Sequence, residues 1–240
     1  MKLTFLGTRG YSDERSDLHG RHTTLLAAQR RRHVMIDCGE DWRGALEEVR
    51  PHAIVLTHAH PDHASGLDGG APCPVFATSE TWAAIARYPI PDRRTIQPRR
   101  PVVIEGIGFE AFPVAHSVRA PAVGYRIRTG RADVFYVPDV VFIHDRAEAL
   151  EGVRLYIGDA ATLTRSFVRR RGDTLIGHAP VRTQLTWCRE AGIRRAIFTH
   201  CGSEIVAGDE SAITARLAQM AAERGIEARF AHDGLELTLR

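Results

Sequence analysis

Short runs rich in β-branched and aromatic residues recur along the 240-residue chain, and they constrain its fold more than any other feature. KLTFLG, TTLLAA, HVMID, AIVLT, CPVFAT, PVVI, FEAFPV, VGYRIRT and DVFYVPD come first; LYIGD, AIFTH, ARFAH and LELTL follow. Bounded by Gly, Pro, Asp or Arg-rich turns, each reads as a strand. Helical patterns lie between them: DWRGALEEVR ahead of Pro51, and SETWAAIARYP, ended by Pro89. From Pro180, a favourable first helical residue, PVRTQLTWCREAG places Val181, Leu185 and Cys188 on one face and stops at Gly192. After Asp209, the residues Ile213, Leu217, Met220 and Ala221 form an apolar stripe that ends before Gly225. Both stripes read as core packing. Mixed strands and helices, with no repeat, low-complexity tract or Pro/Ser linker, predict an α/β fold built as a single domain over residues 1–240, its sheets covered by helices.

Composition narrows the class. A chain with 44% hydrophobic and 25% charged residues is globular rather than disordered. At this length roughly 70–75% of the unfolded surface can be buried, so neither disulfides nor a structural metal is needed to hold the fold. Cys38, Cys73, Cys188 and Cys201 form no CxxC pair, which argues against a zinc ribbon and a secreted disulfide framework. MKLTFLGTRG is too short an apolar run for a signal peptide, and no stretch approaches the ~18 apolar residues of a membrane helix. The expectation is a cytoplasmic protein with no membrane partner. The net charge of +3 permits anionic substrates without demanding them, and the twelve histidines are the unusual count.

Position gives half of those histidines a meaning. Directly after AIVLT comes Thr57-His58-Ala59-His60-Pro61-Asp62-His63. Imidazoles and carboxylates are ligands of first-row metals, and an exposed turn after a strand lets alternate side chains converge. His58 and His60 could serve one ion while Asp62 and His63 reach a second. One such run supplies too few ligands for two ions, so further His and Asp residues are expected just beyond strand ends. His116 follows FEAFPVA, Asp139 follows VFYVP, and His200 follows AIFT.

With these residues in this order, the sequence resembles the metallo-β-lactamase superfamily, in particular the phosphodiesterase branch that includes ribonuclease Z and the cyclic-phosphate phosphodiesterase of phosphonate breakdown. FLGT, IDCGE at 36–40, GHAPV at 177–181, FTHCG at 198–202 and HDG at 232–234 have counterparts there. The resemblance implies a four-layer αββα sandwich, two packed mixed sheets flanked by helices. It implies two divalent metal ions, Zn²⁺ or Mn²⁺. His58, His60 and His116 would hold one, Asp62, His63 and His200 the other, and Asp139 would bridge them. It further implies supporting roles for Asp37, Asp159 and Asp233, though Asp37 could instead cap the following helix and Asp159 and Asp233 could fill ordinary turn roles. His178, in GHAPV, is expected to face the phosphate or protonate the leaving group, and Arg21 with His22 to bind phosphate from an N-terminal loop.

Two ions a few ångströms apart can hold a hydroxide between them, with Asp62 in the catalytic constellation, and clamp the attacked group. The leading reading is therefore a metal-dependent phosphodiesterase acting on a small cyclic or diester phosphate. A nuclease of the same branch, a thioester or lactone hydrolase, and a non-catalytic metal-binding accessory protein are the alternatives. Residues 7–22 lack the cysteines of the phosphonate-pathway enzyme's structural zinc site, and Gly158-Asp159-Ala160-Ala161-Thr162 lacks the histidine of the ribonuclease Z His-Glu-Ala-Thr motif. Arginine clusters at 30–32, 99–100, 169–171 and 194–195 read as solvated surface, so a nucleic-acid partner is not favoured. A homodimer is compatible with the chain.

Overall fold

A computed structural model describes residues 1–239. The first half contributes β1 (Lys2–Gly7), β2 (Thr24–Gln29), β3 (Arg32–Ile36), β4 (Ala53–Val55), β5 (Val75–Ala77), β6 (Arg93–Thr95), β7 (Val102–Ile104) and β8 (Ile107–Ala115). The rest contributes β9 (Ala122–Thr129), β10 (Ala132–Tyr136), β11 (Phe142–Ile143), β12 (Leu155–Asp159), β13 (Arg169–Arg171), β14 (Thr174–Ile176), β15 (Arg195–Thr199), β16 (Glu227–Phe230) and β17 (Glu236–Thr238). The helices are α1 (Leu46–Val49), α2 (Pro61–Ala64), α3 (Ser79–Ala84), α4 (Arg146–Leu150), α5 (Val181–Glu190), α6 (Ser203–Val206) and α7 (Glu210–Ala222).

The strands assemble into two large mixed sheets. One has seven strands in the order β17-β1-β2-β3-β4-β5-β6; the other has eight, β11-β8-β9-β10-β12-β15-β16, with β7 paired to β8. Because side chains alternate along a strand, each central strand feeds two layers. Val34 and Ile36 of β3 and Val134 and Tyr136 of β10 enter the layer between the sheets, where Leu3, Phe5, Phe109 and Tyr125 are also buried. On the opposite face of the first sheet, Met35 and Ile54 pack with Trp42, Leu67 and Trp82. On the opposite face of the second, Phe135, Tyr156 and Phe198 pack with Leu185, Trp187, Leu217 and Met220 from α5 and α7. The result is the expected four-layer αββα sandwich.

Strand direction positions the site. β3 and β4 are parallel, and so are β10, β12 and β15. β8 and β10 are both antiparallel to β9, so β8 runs the same way as β10. Asp37, the His58–His63 run, His116, Asp139, Asp159 and His200 therefore all lie at carboxyl ends of strands, the edge of an open α/β sheet where ligands bind.

Several elements depart from expectation. DWRGALEEVR is not one helix: a 3₁₀ turn at Glu40–Trp42 is separated from the single turn of α1 by Gly44, whose φ of +76° breaks the helical path. α3 stops at Ala84, well before Pro89, because the chain leaves it to bury Ile85 and Ile90 in the outer layer. Pro180 caps α5 in extended conformation, and the helix proper starts at Val181. Arg169–Arg171 form one strand of an exposed two-stranded hairpin, β13–β14. Among the described residues, no helix is long and apolar enough to cross a membrane.

The inter-sheet layer generates a stability prediction. Phe109 is 1% exposed and meets Tyr125 edge-to-face at 6.0 Å between centroids. Phe109→Ala should lower unfolding stability by about 3–5 kcal/mol in chemical denaturation. A loss below about 1 kcal/mol would show that the two sheets do not share this core.

Candidate metal centre

The local chain explains why the His58–His63 run converges. Past β4 the chain bends at Thr57 and is extended again at His60 (φ −65°, ψ 152°), which brings His58 and His60 together. Pro61, pre-set for a helical start, then opens α2 and brings Asp62 and His63 round on its single turn. His58 Nε2 lies 3.0 Å from His60 Nδ1, and His116 Nε2, arriving from β8, lies 3.1 Å from the same atom. Two nitrogens bound to one tetrahedral zinc at ~2.0–2.1 Å would be about 3.3 Å apart, so this triad has the spacing of ligands around one ion.

A second group forms beside it. Asp62 Oδ2 is 3.1 Å from His200 Nε2 and 3.3 Å from His63 Nε2. Asp139 lies between the groups, with Oδ2 2.8 Å from His63 Nε2 and Oδ1 3.4 Å from His200 Nε2 and 3.6 Å from His116 Nε2. The His63–Asp139 approach is close in distance, yet His63 Nε2 and Asp139 Oδ2 are both buried without a hydrogen-bond partner. Buried polar atoms left unpaired are costly, and a shared ion would satisfy both.

The opposite ring nitrogens are engaged in ways that aim the free ones inward. His63 Nδ1 meets Asp37 Oδ2 at 2.9 Å. Thr57 Oγ1 donates to Asp37 and lies 3.0 Å from His58 Nδ1, which can donate to it. His116 Nδ1 donates to the Gly177 carbonyl at 3.0 Å. Such outer contacts fix the tautomer of metal-binding histidines. Asp37 and His200 also adopt left-handed backbone (φ +64° and +58°), a strained conformation for non-glycine residues that costs about 1–3 kcal/mol and clusters at functional sites.

Electrostatics divides the histidines. Burial, reinforced by His63, pushes His58 well below the ordinary imidazole range, and burial brings His116 down to about 4 despite the pull of Asp139. These rings are neutral, the form that ligates metal. Burial alone would raise Asp62 and Asp139, but His63 and His200 hold both carboxyls well below their usual range. Burial likewise opposes the charging of His63 and His200, yet the carboxylates win: Asp62 and Asp139 raise His63, and Asp139 with Asp159 brings His200 up to about 10. The seam thus demands cations, and protons supply them where a metal ion does not. The donor set, imidazole and carboxylate without thiolate, fits divalent first-row metals.

Other residues singled out from the sequence fall in different places. Asp37 caps no helix; its carboxylate serves Thr57 and His63. Asp159 accepts from the amides of Val140 and Ala161 and meets His178 Nδ1 at 2.8 Å. Burial would push His178 down, but Asp159 raises it. With a side chain 22% exposed, His178 is half-buried and lines a hollow together with His200. Asp233, by contrast, hydrogen-bonds Thr8 and the amides of Gly20 and Arg21, and no member of the two clustered groups. Arg21 points away from the centre, paired with Glu48 at 3.2 Å and stacked 4.4 Å from the Trp42 ring, because those partners lie on the outer layer. His22 is buried with Nδ1 2.8 Å from Asp41, in a polar recess beside Arg9 rather than in the His178 hollow. Sequence reasoning does not assign roles to Thr57, Gly177 or the buried Arg9–Asp41 pair (2.6 Å); Thr57, inside the histidine run, and Gly177, first residue of GHAPV, carry a signal, and the pair carries none.

Comparisons with known proteins identify the family. The profile of the family described as beta-lactamase superfamily domain matches residues 32–201. A ribonuclease Z of Methanopyrus kandleri is 33% identical over 177 residues, which cover 64% of this chain and 61% of that protein, so the match spans less than two thirds of the relative. Among solved structures, the metallo-beta-lactamase fold protein YhfI of Bacillus subtilis aligns with a TM-score of 0.74 at 17% identity, covering 98% of both chains. A diphosphatase of the PhnP family gives 0.71 at 21% identity, covering 98% of this chain and 96% of that one. The short form of human tRNase Z gives 0.70 at 18% over the whole of both chains. At these identities the solved structures speak for the fold.

Asp37→Asn keeps the shape of the side chain but replaces one of the two carboxylate oxygens that serve His63 and Thr57. It should weaken divalent-ion binding about 10–100-fold in chelator competition while thermal unfolding of the metal-free protein stays cooperative. Unchanged affinity would show that Asp37 does not orient the centre.

Proposed function

Because the chain belongs to the metallo-β-lactamase superfamily and is one of its hydrolases, we propose that it is a phosphodiesterase acting on a small cyclic or diester phosphate. The observation that carries this reading is the meeting of two ligand groups at Asp139 with His178 beside them on the open side. We assign His58, His60 and His116 to one divalent ion, Asp62, His63 and His200 to a second, and Asp139 to both. Divalent ions held there would supply a water of lowered pKa, about 7, and would neutralise charge on phosphoryl oxygens.

The protein's own groups do the rest. Asp62, with Oδ2 facing both His63 and His200, would help hold an ion and orient the attacking water. In-line attack at phosphorus builds negative charge on the equatorial and leaving oxygens, which must meet donors already in place. His178 supplies one: Nδ1 is held by Asp159, so Nε2 is the nitrogen left for the substrate. From there it steadies a phosphoryl oxygen or hands its proton to the leaving alkoxide. Asp159 also receives the Val140 amide, which ties His178 to the chain segment that carries Asp139.

A nuclease is the second reading. The Methanopyrus kandleri relative is a ribonuclease Z, and Arg169–Arg171 stand exposed on a hairpin whose base donates from Gly177 N to the His116 carbonyl at 2.8 Å. Contacts to a nucleic-acid backbone there would make turnover fall steeply with salt.

The test is a parallel assay of metal-analysed protein on an activated phosphodiester, a thioester, a lactone and a single-stranded oligonucleotide. Diester turnover should require metal, with about two ions per chain. His178→Ala should lower kcat about 10²–10³-fold with metal content unchanged. Thioester or lactone turnover far above diester turnover overturns the reading, and a stoichiometry of one ion overturns the paired site.

A further inference from the structure

Among the described residues, five large hydrophobic side chains are exposed: Tyr11, Val103, Val118, Phe142 and Phe167. Two of them, Tyr11 at 74% and Phe167 at 39%, line the same hollow of about 230 Å³ that His178 and His200 open into. They come from distant parts of the chain, the loop after β1 and the loop before β13, so their meeting is a product of the fold.

Both aromatics are fixed to the site through the backbone. Gly10, the neighbour of Tyr11, donates its amide to the Cys201 carbonyl at 2.9 Å, and a Cβ on it would come within 3.0 Å of the His200 ring. Phe167 donates its amide to the His178 carbonyl at 3.3 Å. That pairing needs Gly177: its φ is +106°, and any Cβ there would collide with the Phe167 carbonyl. Arg165 lies 5.4 Å from the Phe167 centroid over one face of the ring. The polar groups nearby are already engaged, Glu204 with Thr162 and Leu163 and Ser203 with Glu14.

We propose that Tyr11 and Phe167 form a ring subsite, so that the substrate carries a planar aromatic group, such as a nucleobase, close to its phosphate. This deepens the phosphodiesterase reading and rests on it for the phosphate's position. The hollow is smaller than the ~300–1,000 Å³ of pockets that enclose drug-sized ligands, which limits the enclosed part to the phosphate and one attached group. Aromatic side chains flanking a charged centre stack on any base without reading its edges, so selectivity is for a ring over none rather than for one base.

Calorimetric titration of the metal-loaded protein with AMP and with ribose 5-phosphate tests this, since the probes share the phosphate and differ in the ring. AMP should bind at least about tenfold more tightly. Tyr11→Ala with Phe167→Ala should bring AMP to the level of ribose 5-phosphate without changing the latter, and Tyr11→Phe should retain the preference. Both side chains are exposed, so the variants are expected to fold. Equal binding by the wild type, a preference that survives the double substitution, or no AMP binding at millimolar concentration overturns the ring subsite. If the ring preference holds while no phosphodiester is turned over, the proposed activity fails and the subsite stands; if diester is turned over without a ring preference, the subsite fails and the activity stands.

Discussion

The structure depends on keeping ionised carboxylates buried at the seam between two sheets. Asp62, Asp139 and Asp159 are each 4% exposed or less, and the side-chain cations facing them are histidines. An unpaired buried carboxylate is so costly that it would normally protonate, yet all three are held below their usual range by neighbouring rings. Imidazoles can meet that demand in two ways, by charging or by handing a lone pair to a metal ion. The pair of divalent ions proposed here would meet the demand of these carboxylates without charging the rings.

Such a seam opposes folding unless the rest of the chain holds it, and the architecture shows how. Strand direction brings the carboxyl ends of β3 and β4 to one side and those of β8, β10, β12 and β15 to the other. Three apolar layers fix the sheets, so the unpaired atoms and left-handed residues at Asp37 and His200 are tolerated locally. Local violations confined to one place, in an otherwise consistent fold, are what a functional site produces.

Legibility in the sequence follows from the same physics. His58, His60, Asp62 and His63 are readable because the chemistry is local, within one turn after a strand. His116, Asp139 and His200 are readable because each ends an apolar run. Arg21 misleads because its direction is set by Glu48 and Trp42, contacts that sequence spacing does not reveal. Asp233 misleads for the same reason: it fastens the loop after β1 through Thr8, Gly20 and Arg21, at a sequence distance of more than two hundred residues. The β13–β14 hairpin escapes notice because its strands are largely exposed and carry no apolar alternation. The break at Gly44 escapes because a periodic pattern does not register one residue of positive φ.

The loops that surround the hollow are not independent of the centre they surround. Gly10 packs on His200 and bonds Cys201, Phe167 bonds His178, and Gly177 bonds His116 in both directions, through its amide to the His116 carbonyl and through its carbonyl to the His116 ring. Asp41 ties the loop after β1 down through Arg9, Arg15 and the His22 amide. A shift in loop backbone would therefore tilt His116, His178 or His200, so the geometry of the proposed centre and the shape of the hollow are coupled. Side chains that project from these loops without touching the ligands are free of that constraint. Selectivity can change at Tyr11 and Phe167 by substitution alone, whereas a change in loop length at either place would be felt at His200 or His178 first.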